Sequence, residues 1–327
     1  MRTFTFFRRG VFVMSLVSTM WGMASPASAA DLAFKAPPPP PATGLDIHGF
    51  FDAGVATDFM TARGLYLIRN KPVTGIDMGL IADLYKNKGG FINKVSIYAG
   101  TYFQLSNGYH PLPAGVTNST FSEFDWWAGG TVSFAHNWAF DAQYYEIISP
   151  QSLWFNQRNL QLTLSYDDTS WGLPVQFKPY VLGWYQLDGT PNVGGTNKNG
   201  YIQFGSNLTW DLTSTYGVKF IAPTYVSVGP KDYWKSTGCG TVATAPCAAS
   251  NGGVFSTGLT AVVPVTWVPK NYGNWAIKGG FQYYHLINDG LLAAQVAFGG
   301  PGTGVVPTYA DAKRDIAVGF VGIGFTF

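Results

Sequence analysis

The chain has 327 residues, of which 46% are hydrophobic and only 12% are charged. This composition excludes a disordered chain and leaves too few charges for an ordinary soluble surface. Its 40 glycines and 16% aromatic residues favour an all-β protein. Beyond the first thirty residues no run of about 18 apolar residues occurs, so helical membrane spans are not expected.

Residues 1–30 are predicted to form a secretory signal peptide, cleaved after Ala29 or Ala30. A basic start precedes an apolar stretch and a small-residue end, which is the pattern of such peptides. The basic residues are Arg2, Arg8 and Arg9. Without them the chain carries 17 basic and 18 acidic residues, so a nucleic-acid partner has no electrostatic support.

Residues 31–44 follow as a proline-rich segment, with five consecutive prolines from Pro37 to Pro41. Such a run favours the extended polyproline II conformation and joins neither a helix nor a sheet. A stiff periplasmic linker is one interpretation, and a periplasmic docking segment is the other. The sequence leaves both open.

Residues 45–327 contain twelve segments of about ten residues in which apolar side chains alternate with small or polar ones. The clearest are "NLQLTLSYD" (159–167), "YIQFGSNLTWDL" (201–212) and "VFSTGLTAVVPVTW" (254–267). A period of two identifies these segments as strands. The others begin near Asp46, Thr74, Phe91, Ser122, Trp138, Leu173, Val218, Asn274 and Arg314.

The connections between these strands alternate between short and long, and the longest are residues 231–253 and 288–313. An outer-membrane β-barrel has short periplasmic turns and long outside loops, whereas a soluble sandwich has no reason to put every long loop at one end. The sequence therefore predicts an all-β fold over residues 45–327: an antiparallel transmembrane β-barrel of about 12 strands, with both termini in the periplasm.

The tryptophans agree with this arrangement, because indole rings favour the headgroup level of a membrane. Five lie at or beside predicted short turns and form the predicted aromatic girdle: Trp138, Trp171, Trp210, Trp267 and Trp275. Three near the long loops could form a second girdle: Trp154, Trp184 and Trp234. The alternative is that these are core tryptophans of a soluble protein.

The last strand, "RDIAVGFVGIGFTF", places Ala317, Val321, Ile323 and Phe325 on one face and ends on Phe327. It resembles the C-terminal signature of Gram-negative outer-membrane barrels. That resemblance implies that Phe327 belongs to a signal read by the outer-membrane assembly machinery. The stretch "ADLAFKAPPPPP" resembles the mature start of many α-proteobacterial outer-membrane proteins.

Three internal stretches are similar to the TorF-type porins: "GVATDFMTARGL", "EFDWWAGGTVSF" and "DAQYYEIISP". Their similarity implies a porin-like protein and points to no particular solute.

The chain has two cysteines, Cys239 and Cys247, and both lie in the predicted outside loop 231–253. A disulfide between them is predicted, because the cell envelope is oxidising. Two thiols with no histidine nearby fall short of the four ligands of a zinc site, so no metal and no cofactor are predicted.

Enzymatic activity is not expected. Outer-membrane phospholipases and lipid A deacylases place a serine two residues after the catalytic histidine, and none of the four histidines fits: His48, His110, His136 and His285. Asp167 and Asp168 are interpreted as a solvated turn rather than a protease site. No Gly-rich phosphate loop and no His-Glu-x-x-His motif is present.

Polar side chains on the strands are expected to face inward, because a mid-bilayer charge costs roughly 2 to 4 kcal/mol for Lys or Arg. Acidic groups outnumber lysines among them, which leads to the hypothesis of a mild cation preference. The alternative is a set of ion pairs that fill the barrel and only stabilise it. The predicted pore-lining residues are Asp52, Asp77, Asp83, Lys94, Glu123, Asp125, Asp141, Gln143, Lys178, Asp211, Lys219 and Lys278.

A barrel of about twelve strands lies between filled eight-stranded barrels and open porins of sixteen to eighteen strands, so a narrow pore is expected. Inward aromatic side chains would narrow it further, offer stacking faces to flat solutes, or simply pack the lumen. They are Tyr98, Tyr102, Trp127, Tyr180, Trp184 and Tyr284.

The sequence thus predicts an outer-membrane, porin-like channel for passive diffusion of small hydrophilic solutes, embedded in a bilayer with lipopolysaccharide. A structural or surface-interaction barrel with a plugged lumen is the alternative. The two differ in whether the long loops, above all residues 288–313, fold into the lumen or stand outward. The sequence makes no prediction of the oligomeric state.

Overall fold

The computed structural model describes residues 46–87, 89–106, 120–150, 156–188, 198–234, 250–298 and 309–327. The predicted signal peptide and proline-rich segment lie outside these residues. So do Cys239, Cys247, His110 and Trp154. The processing and disulfide predictions therefore stay predictions.

Twelve long strands close into a barrel, and each is antiparallel to both of its neighbours. Two further short strands, β2 (Phe59–Met60) and β3 (Tyr66–Ile68), pair only with each other. The predicted fold class, a twelve-stranded antiparallel barrel, is confirmed. The barrel strands are β1 (Asp46–Ala56), β4 (Val73–Lys86), β5 (Ile92–Ser106), β6 (Phe121–Phe134), β7 (Trp138–Ile148), β8 (Gln157–Tyr166), β9 (Pro179–Asp188), β10 (Asn199–Leu212), β11 (Val218–Val228), β12 (Gly252–Pro264), β13 (Asn274–Leu286) and β14 (Asp315–Thr326).

Barrel strands that follow one another along the chain are neighbours in the wall, and the ring closes where β1 meets β14. In this seam Ala56 lies opposite Phe320 and Phe50 lies opposite Thr326. The C-terminal strand therefore closes the barrel, because the first strand has no other partner on that side.

The period-two pattern separates an apolar outside from a polar inside. Outward side chains such as Leu80 and Val321 are 55% and 58% exposed. Along β14, Ile316 and Val318 point inward and are buried, whereas Ala317 between them is exposed. A continuous apolar outer surface of this kind is stable against lipid hydrocarbon and not against water.

The three shortest connections, residues 87–91, 135–137 and 213–217, lie together at the end of the barrel that holds the start of β1, which the sequence analysis assigns to the periplasm. The predicted alternation is not strict, because the connection 167–178 at this end is longer than the connection 149–156 at the other. One of the three shortest connections contains the helix α1 (Thr213–Tyr216), which ends on Gly217 with a φ of 65°, a left-handed conformation that favours glycine. Among the described residues, no helix combines the length and the apolar character needed to cross a bilayer.

One strand begins later than expected: β9 starts at Pro179, not near Leu173. The buried carboxylate of Asp168 accepts hydrogen bonds from the backbone N–H groups of Phe177 at 2.6 Å and Lys178 at 3.1 Å. These bonds fold the intervening residues into a loop, so the alternating pattern there does not form a strand.

The interpretation of Asp167 and Asp168 as a solvated pair is wrong for Asp168, which is only 1% exposed. Asp167 accepts a hydrogen bond from the backbone N–H of Thr169 at 3.1 Å and begins a short 3-10 turn. Both carboxylates therefore shape the connection between β8 and β9.

The connection between β1 and β4, residues 57–72, folds into the barrel. Here β2 (Phe59–Met60) and β3 (Tyr66–Ile68) form a hairpin whose side chains are nearly all buried. Its turn contains Gly64 with a φ of 91°, which side-chain-bearing residues rarely adopt. We call residues 57–72 the inserted hairpin.

Candidate functional site in the barrel interior

The inserted hairpin crosses the barrel and contacts the opposite wall. Arg63 at its tip donates a hydrogen bond to Gln157 Oε1 of β8 at 3.2 Å. The Arg63 guanidinium also lies over the Trp184 ring of β9, 5.2 Å from its centroid. Beside it, Tyr225 of β11 donates a hydrogen bond to the Ala62 carbonyl at 3.2 Å. The hairpin therefore spans the lumen near the end with the long connections.

Asp58 orders the base of the inserted hairpin. Its carboxylate accepts hydrogen bonds from the Tyr66 hydroxyl and from the Asn70 backbone N–H, both at 2.6 Å. Burial and the neighbouring carboxylate raise the pKa of the Tyr66 phenol, so it stays protonated and keeps donating. The Arg69 guanidinium packs over the Tyr66 ring at 4.6 Å. These contacts give the hairpin an internal structure of its own.

A helix, α3 (Asp289–Phe298), covers the inserted hairpin from the same end. Leu291 is fully buried and packs on Gly64, where a Cβ would lie 2.6 Å from a Leu291 methyl carbon. Arg69 donates a hydrogen bond to the side chain of Gln295. Helix and hairpin thus form one cover over the lumen.

The predicted loop 288–313 therefore folds toward the lumen at its start rather than standing outward, which is the position that the plugged-lumen alternative expects. Its end is tied to the same cover, since the Lys313 backbone N–H donates to Gln295 Oε1 at 3.0 Å. Most of the stretch "FGGPGTGVVP" (298–307) lies outside the described residues.

A short helix, α2 (Lys231–Trp234), adds an aromatic cluster to this cover. The rings of Tyr233 and Trp234 lie 5.3 Å and 5.6 Å from the ring of Tyr201. The assignment of Trp184 and Trp234 to an outer girdle is wrong, because both indoles are buried inside the barrel. Closeness to a long loop does not decide which face of the wall a side chain occupies.

Below the cover, two acidic side chains share one lysine. Asp52 of β1 forms a salt bridge with Lys278 of β13. Asp77 of β4 lies opposite Asp52 in the register, is 2% exposed, and interacts electrostatically with the same lysine. The Oδ1 atom of Asp77 has no hydrogen-bond partner among the described residues. This part of the inner wall therefore holds two carboxyl groups for one lysine.

A second acidic pair lies on β6, where Glu123 and Asp125 both point inward and are buried. The Tyr145 hydroxyl donates a hydrogen bond to Asp125 Oδ2, while Asp125 Oδ1 has no partner within the described part of the chain. Both carboxylates interact electrostatically with Arg63 of the inserted hairpin. The tip of the inserted hairpin thus places the Arg63 guanidinium near the two acidic side chains of β6.

Amide side chains extend this polar surface. In the described structure both amide atoms of Gln104 and of Gln143 are buried without hydrogen-bond partners, and so are single atoms of Asn159, Gln203 and Gln282. Buried polar atoms are normally satisfied by protein or by water. These amide atoms make the inner wall polar across several neighbouring strands.

Asp141, by contrast, is satisfied by protein. It accepts hydrogen bonds from the Tyr98 hydroxyl at 2.7 Å and from Thr131 Oγ1 at 2.5 Å. Its side chain belongs to the framework of the inner wall.

A charged network occupies the periplasmic end. Asp83 accepts from Lys94 at 2.8 Å and from Lys86 at 3.0 Å, and its Oδ2 lies 3.1 Å from His48 Nε2. Asp46 lies 3.0 Å from the same histidine nitrogen. Ligand atoms of Asp46, His48 and Asp83 lie within 4.8 Å of one another. The two lysines already bind these carboxylates and balance their charge, so the group does not fit a metal ion.

The remaining predicted pore residues lie at the periplasmic rim. Lys219 is buried and lies opposite Asp211 in the register. Asp211 is exposed and accepts a hydrogen bond from the Thr213 backbone N–H at 3.1 Å, so it shapes a turn. Lys178 is half-buried, directly before β9, with a φ of 48°.

The six predicted inward aromatic side chains are all buried on the inner wall. Trp127 lies flat against the wall at two glycines, Gly79 and Gly100, and a Cβ at Gly100 would lie 2.2 Å from its ring. Phe50 stacks on Trp127 with a centroid distance of 6.0 Å. The glycines of these strands make room for large rings in a narrow barrel.

The five girdle tryptophans lie at the periplasmic end, where Trp138, Trp171 and Trp267 are 39%, 59% and 75% exposed. Trp275 stacks on Phe325 at 4.4 Å, and Trp210 is half-buried. A closed barrel with an apolar outer surface and exposed aromatic side chains at its end is an outer-membrane β-barrel.

The opposite rim has an aromatic group that the sequence analysis did not single out: Trp126, Tyr144, Tyr185 and Tyr283. The rings of Trp126 and Tyr144 lie 5.1 Å apart. The sequence contained a signal for this group. Alternation along each strand places these side chains outward, and residues in register across β6 and β7 share a face.

Two histidines are paired with acidic groups. His48 belongs to the periplasmic network, and His285 lies on the outer face with Nδ1 2.7 Å from Asp315 Oδ1. Tyr283 donates a hydrogen bond to the same oxygen of Asp315. This cluster stabilises the β13–β14 rim on the outside of the barrel, away from the lumen.

Comparison with known proteins finds no match to a protein-family model and none to a curated protein. Among solved structures, an outer-membrane channel from Pseudomonas putida F1 is 9% identical over 93% of this chain and 100% of its own, with a TM-score of 0.47. The outer-membrane channel DcaP of Acinetobacter baumannii is 9% identical over 86% and 97%, with a TM-score of 0.36. Outer membrane phospholipase A from Escherichia coli is 10% identical over 85% and 92%, with a TM-score of 0.38.

At such low identities and scores, these likenesses carry no argument about what this chain does. The resemblance to TorF-type porins and the α-proteobacterial origin stay predictions.

Proposed function

We propose that this protein is a porin-like channel for small hydrophilic solutes and that the inserted hairpin restricts its conductance. The observation that carries the proposal is a row of buried polar atoms on the inner wall that have no partner among the described residues, in Asp77, Gln104, Asp125, Gln143 and Asn159. A barrel that served only as a scaffold would be more stable with apolar or mutually bonded side chains there. A wet lumen explains why the polar atoms are present.

The wall of the barrel does not need the inserted hairpin. β1 and β4 pair directly as far as Ala56 opposite Val73, so a short turn could join them. The hairpin is held across the lumen by side-chain contacts of Arg63 and Arg69 and by the Ala62 carbonyl. Displacing it would open the mouth and leave the wall intact.

A mild cation preference is part of the proposal. The inner wall carries the buried carboxylates of Asp52, Asp77, Glu123, Asp125 and Asp141, whereas Lys219 and Lys278 are the buried lysines of the described strands. A surplus of one sign in a low-dielectric passage concentrates the opposite ion. No catalytic role is proposed, and lipopolysaccharide and the assembly machinery stay predicted partners.

The test is single-channel recording in planar bilayers. The unmodified protein is compared with a variant in which residues 57–72 are replaced by a four-residue Gly/Ser turn. We expect discrete current steps that are several-fold larger in the variant, a reversal potential in a salt gradient that favours cations, and a reduction of the current by sugars small enough to enter.

Folding is checked by the shift in gel mobility on heating that intact barrels show. If both proteins insert as intact barrels and both stay silent, the channel proposal is wrong and a structural or surface-interaction role takes its place. If the current favours anions, the channel proposal stands and the cation preference is wrong.

A further inference from the structure

We propose, building on the channel function, that the residues around Arg63 form a binding site for small organic cations of the guanidinium or alkylammonium class. In the closed barrel the protein's own Arg63 occupies this site. A solute of that class would compete with Arg63 and so favour release of the inserted hairpin.

The surroundings of Arg63 have the chemistry that recognises a guanidinium group. Gln157 offers an amide oxygen at 3.2 Å, and the Trp184 ring lies below the guanidinium at 5.2 Å. Glu123 and Asp125 place two carboxyl groups within electrostatic range of Arg63. An acceptor, an aromatic face and carboxylates together favour a flat organic cation over a small inorganic one, because the ring face adds cation–π attraction.

The site has more hydrogen-bonding capacity than Arg63 uses. Within the described structure, Trp184 Nε1, Tyr201 Oη and Asp125 Oδ1 are buried and have no hydrogen-bond partners. Tyr145 packs on Trp184 with a centroid distance of 5.8 Å, and Tyr201 interacts electrostatically with Arg63. These atoms can serve further polar groups of a solute, which a site built only to hold the hairpin would not need.

Competition with Arg63 determines the concentration of free cation that is needed to occupy the site. A side chain on a short tether acts at an effective concentration in the millimolar range or above. A free cation must therefore reach at least millimolar concentration in the unmodified protein. Removing the arginine side chain should make the site accessible at lower concentration.

The experiment uses Arg63→Ala with methylguanidinium as the probe and N-methylurea as a neutral molecule of the same shape. Arg158→Ala is the matched control, because Arg158 neighbours Gln157 in the chain but is exposed and paired with Asp188 at 3.0 Å. We expect Arg63→Ala to conduct more than the unmodified protein. Methylguanidinium should then bind in the vacated site and reduce the current, whereas N-methylurea should not.

A second reading does not depend on current. Thermal unfolding in detergent should show that methylguanidinium raises the Tm of Arg63→Ala, since a ligand that binds the folded state stabilises it. The shift should be smaller in the unmodified protein and in Arg158→Ala. Adding Glu123→Gln and Asp125→Asn to Arg63→Ala should weaken binding about tenfold or more, because charge-assisted contacts are lost.

The current and Tm measurements distinguish the cation-site proposal from the channel proposal. If Arg63→Ala conducts but methylguanidinium changes neither its current nor its Tm, or acts no better than N-methylurea, the cation site is wrong and the channel stands. If methylguanidinium raises the Tm selectively while no variant conducts, the site stands and the channel proposal is wrong. Arg63→Lys provides a folded variant that keeps the charge, and it should show an intermediate response.

Discussion

Gly49 and Phe327 exchange two backbone hydrogen bonds, each with an N–O distance of 3.1 Å, and these bonds complete the seam between the first and last strands. The Phe327 ring lies so close to Gly49 that a Cβ there would be 2.2 Å from it. The last residue of the chain is therefore part of the wall, in addition to its predicted role as an assembly signal.

Deleting Phe327 should lower the free energy of unfolding by about 2 kcal/mol, because two backbone hydrogen bonds are lost. Phe327→Leu keeps those bonds and should lose less. Urea titration of the folded barrel, followed by gel mobility, measures both. Equal stability of the two variants would contradict the assigned role of the seam hydrogen bonds.

Gly100 is predicted to tolerate no side chain. A Cβ there would lie 2.2 Å from the Trp127 ring and 2.5 Å from the Met78 carbonyl oxygen. Gly100→Ala should therefore destabilise the barrel by about 1 to 3 kcal/mol, as overpacking does. Gly183 also lies in a strand, but its Cβ would meet nothing within 4 Å, so Gly183→Ala is the matched control. The midpoints of urea unfolding of the two variants test this prediction. Similar losses of stability in both would refute the packing argument.

Ion selectivity should depend on the inner carboxylates. A carboxylate about 4 Å from a cation contributes about 1 kcal/mol even in water, which is roughly a fivefold change in local ion population. Asp77→Asn combined with Asp125→Asn, in the variant with the shortened hairpin, should move the reversal potential toward zero. Asp315→Asn changes an exposed carboxylate on the outer rim and should leave it unmoved. An unchanged reversal potential in the double variant would place the selectivity elsewhere.

Asp168 should be needed for the connection before β9. Asp168→Ala leaves the Phe177 and Lys178 N–H groups without their buried acceptor and should cost about 2 to 3 kcal/mol of unfolding free energy. Asp211→Ala removes a similar bond, to the Thr213 N–H, at an exposed site and should cost less than about 1 kcal/mol. Unfolding titrations of the two variants would contradict this if their losses were equal.

The sequence by itself determined the wall of the barrel. The starts of β7 at Trp138, β11 at Val218 and β13 at Asn274 agree with the predicted strand starts. The reason is local: lipid on one side and the lumen on the other impose a period of two on every strand. The same alternation placed the buried side chains of Asp77, Glu123 and Asp125 on the inner face before any contact was known.

Only the tertiary structure decided what fills the mouth. Residues 57–72 read as an ordinary outside connection, because no periodic constraint acts on a segment between strands. Their burial depends on partners far along the chain: Arg63 meets Gln157, which is 94 residues away. Trp234 is misplaced by sequence reasoning for the same cause, and Trp184 was expected both in the lumen and in the second girdle. Contact with lipid constrains the residue pattern of each strand separately, whereas packing inside the lumen depends on the closed ring of strands.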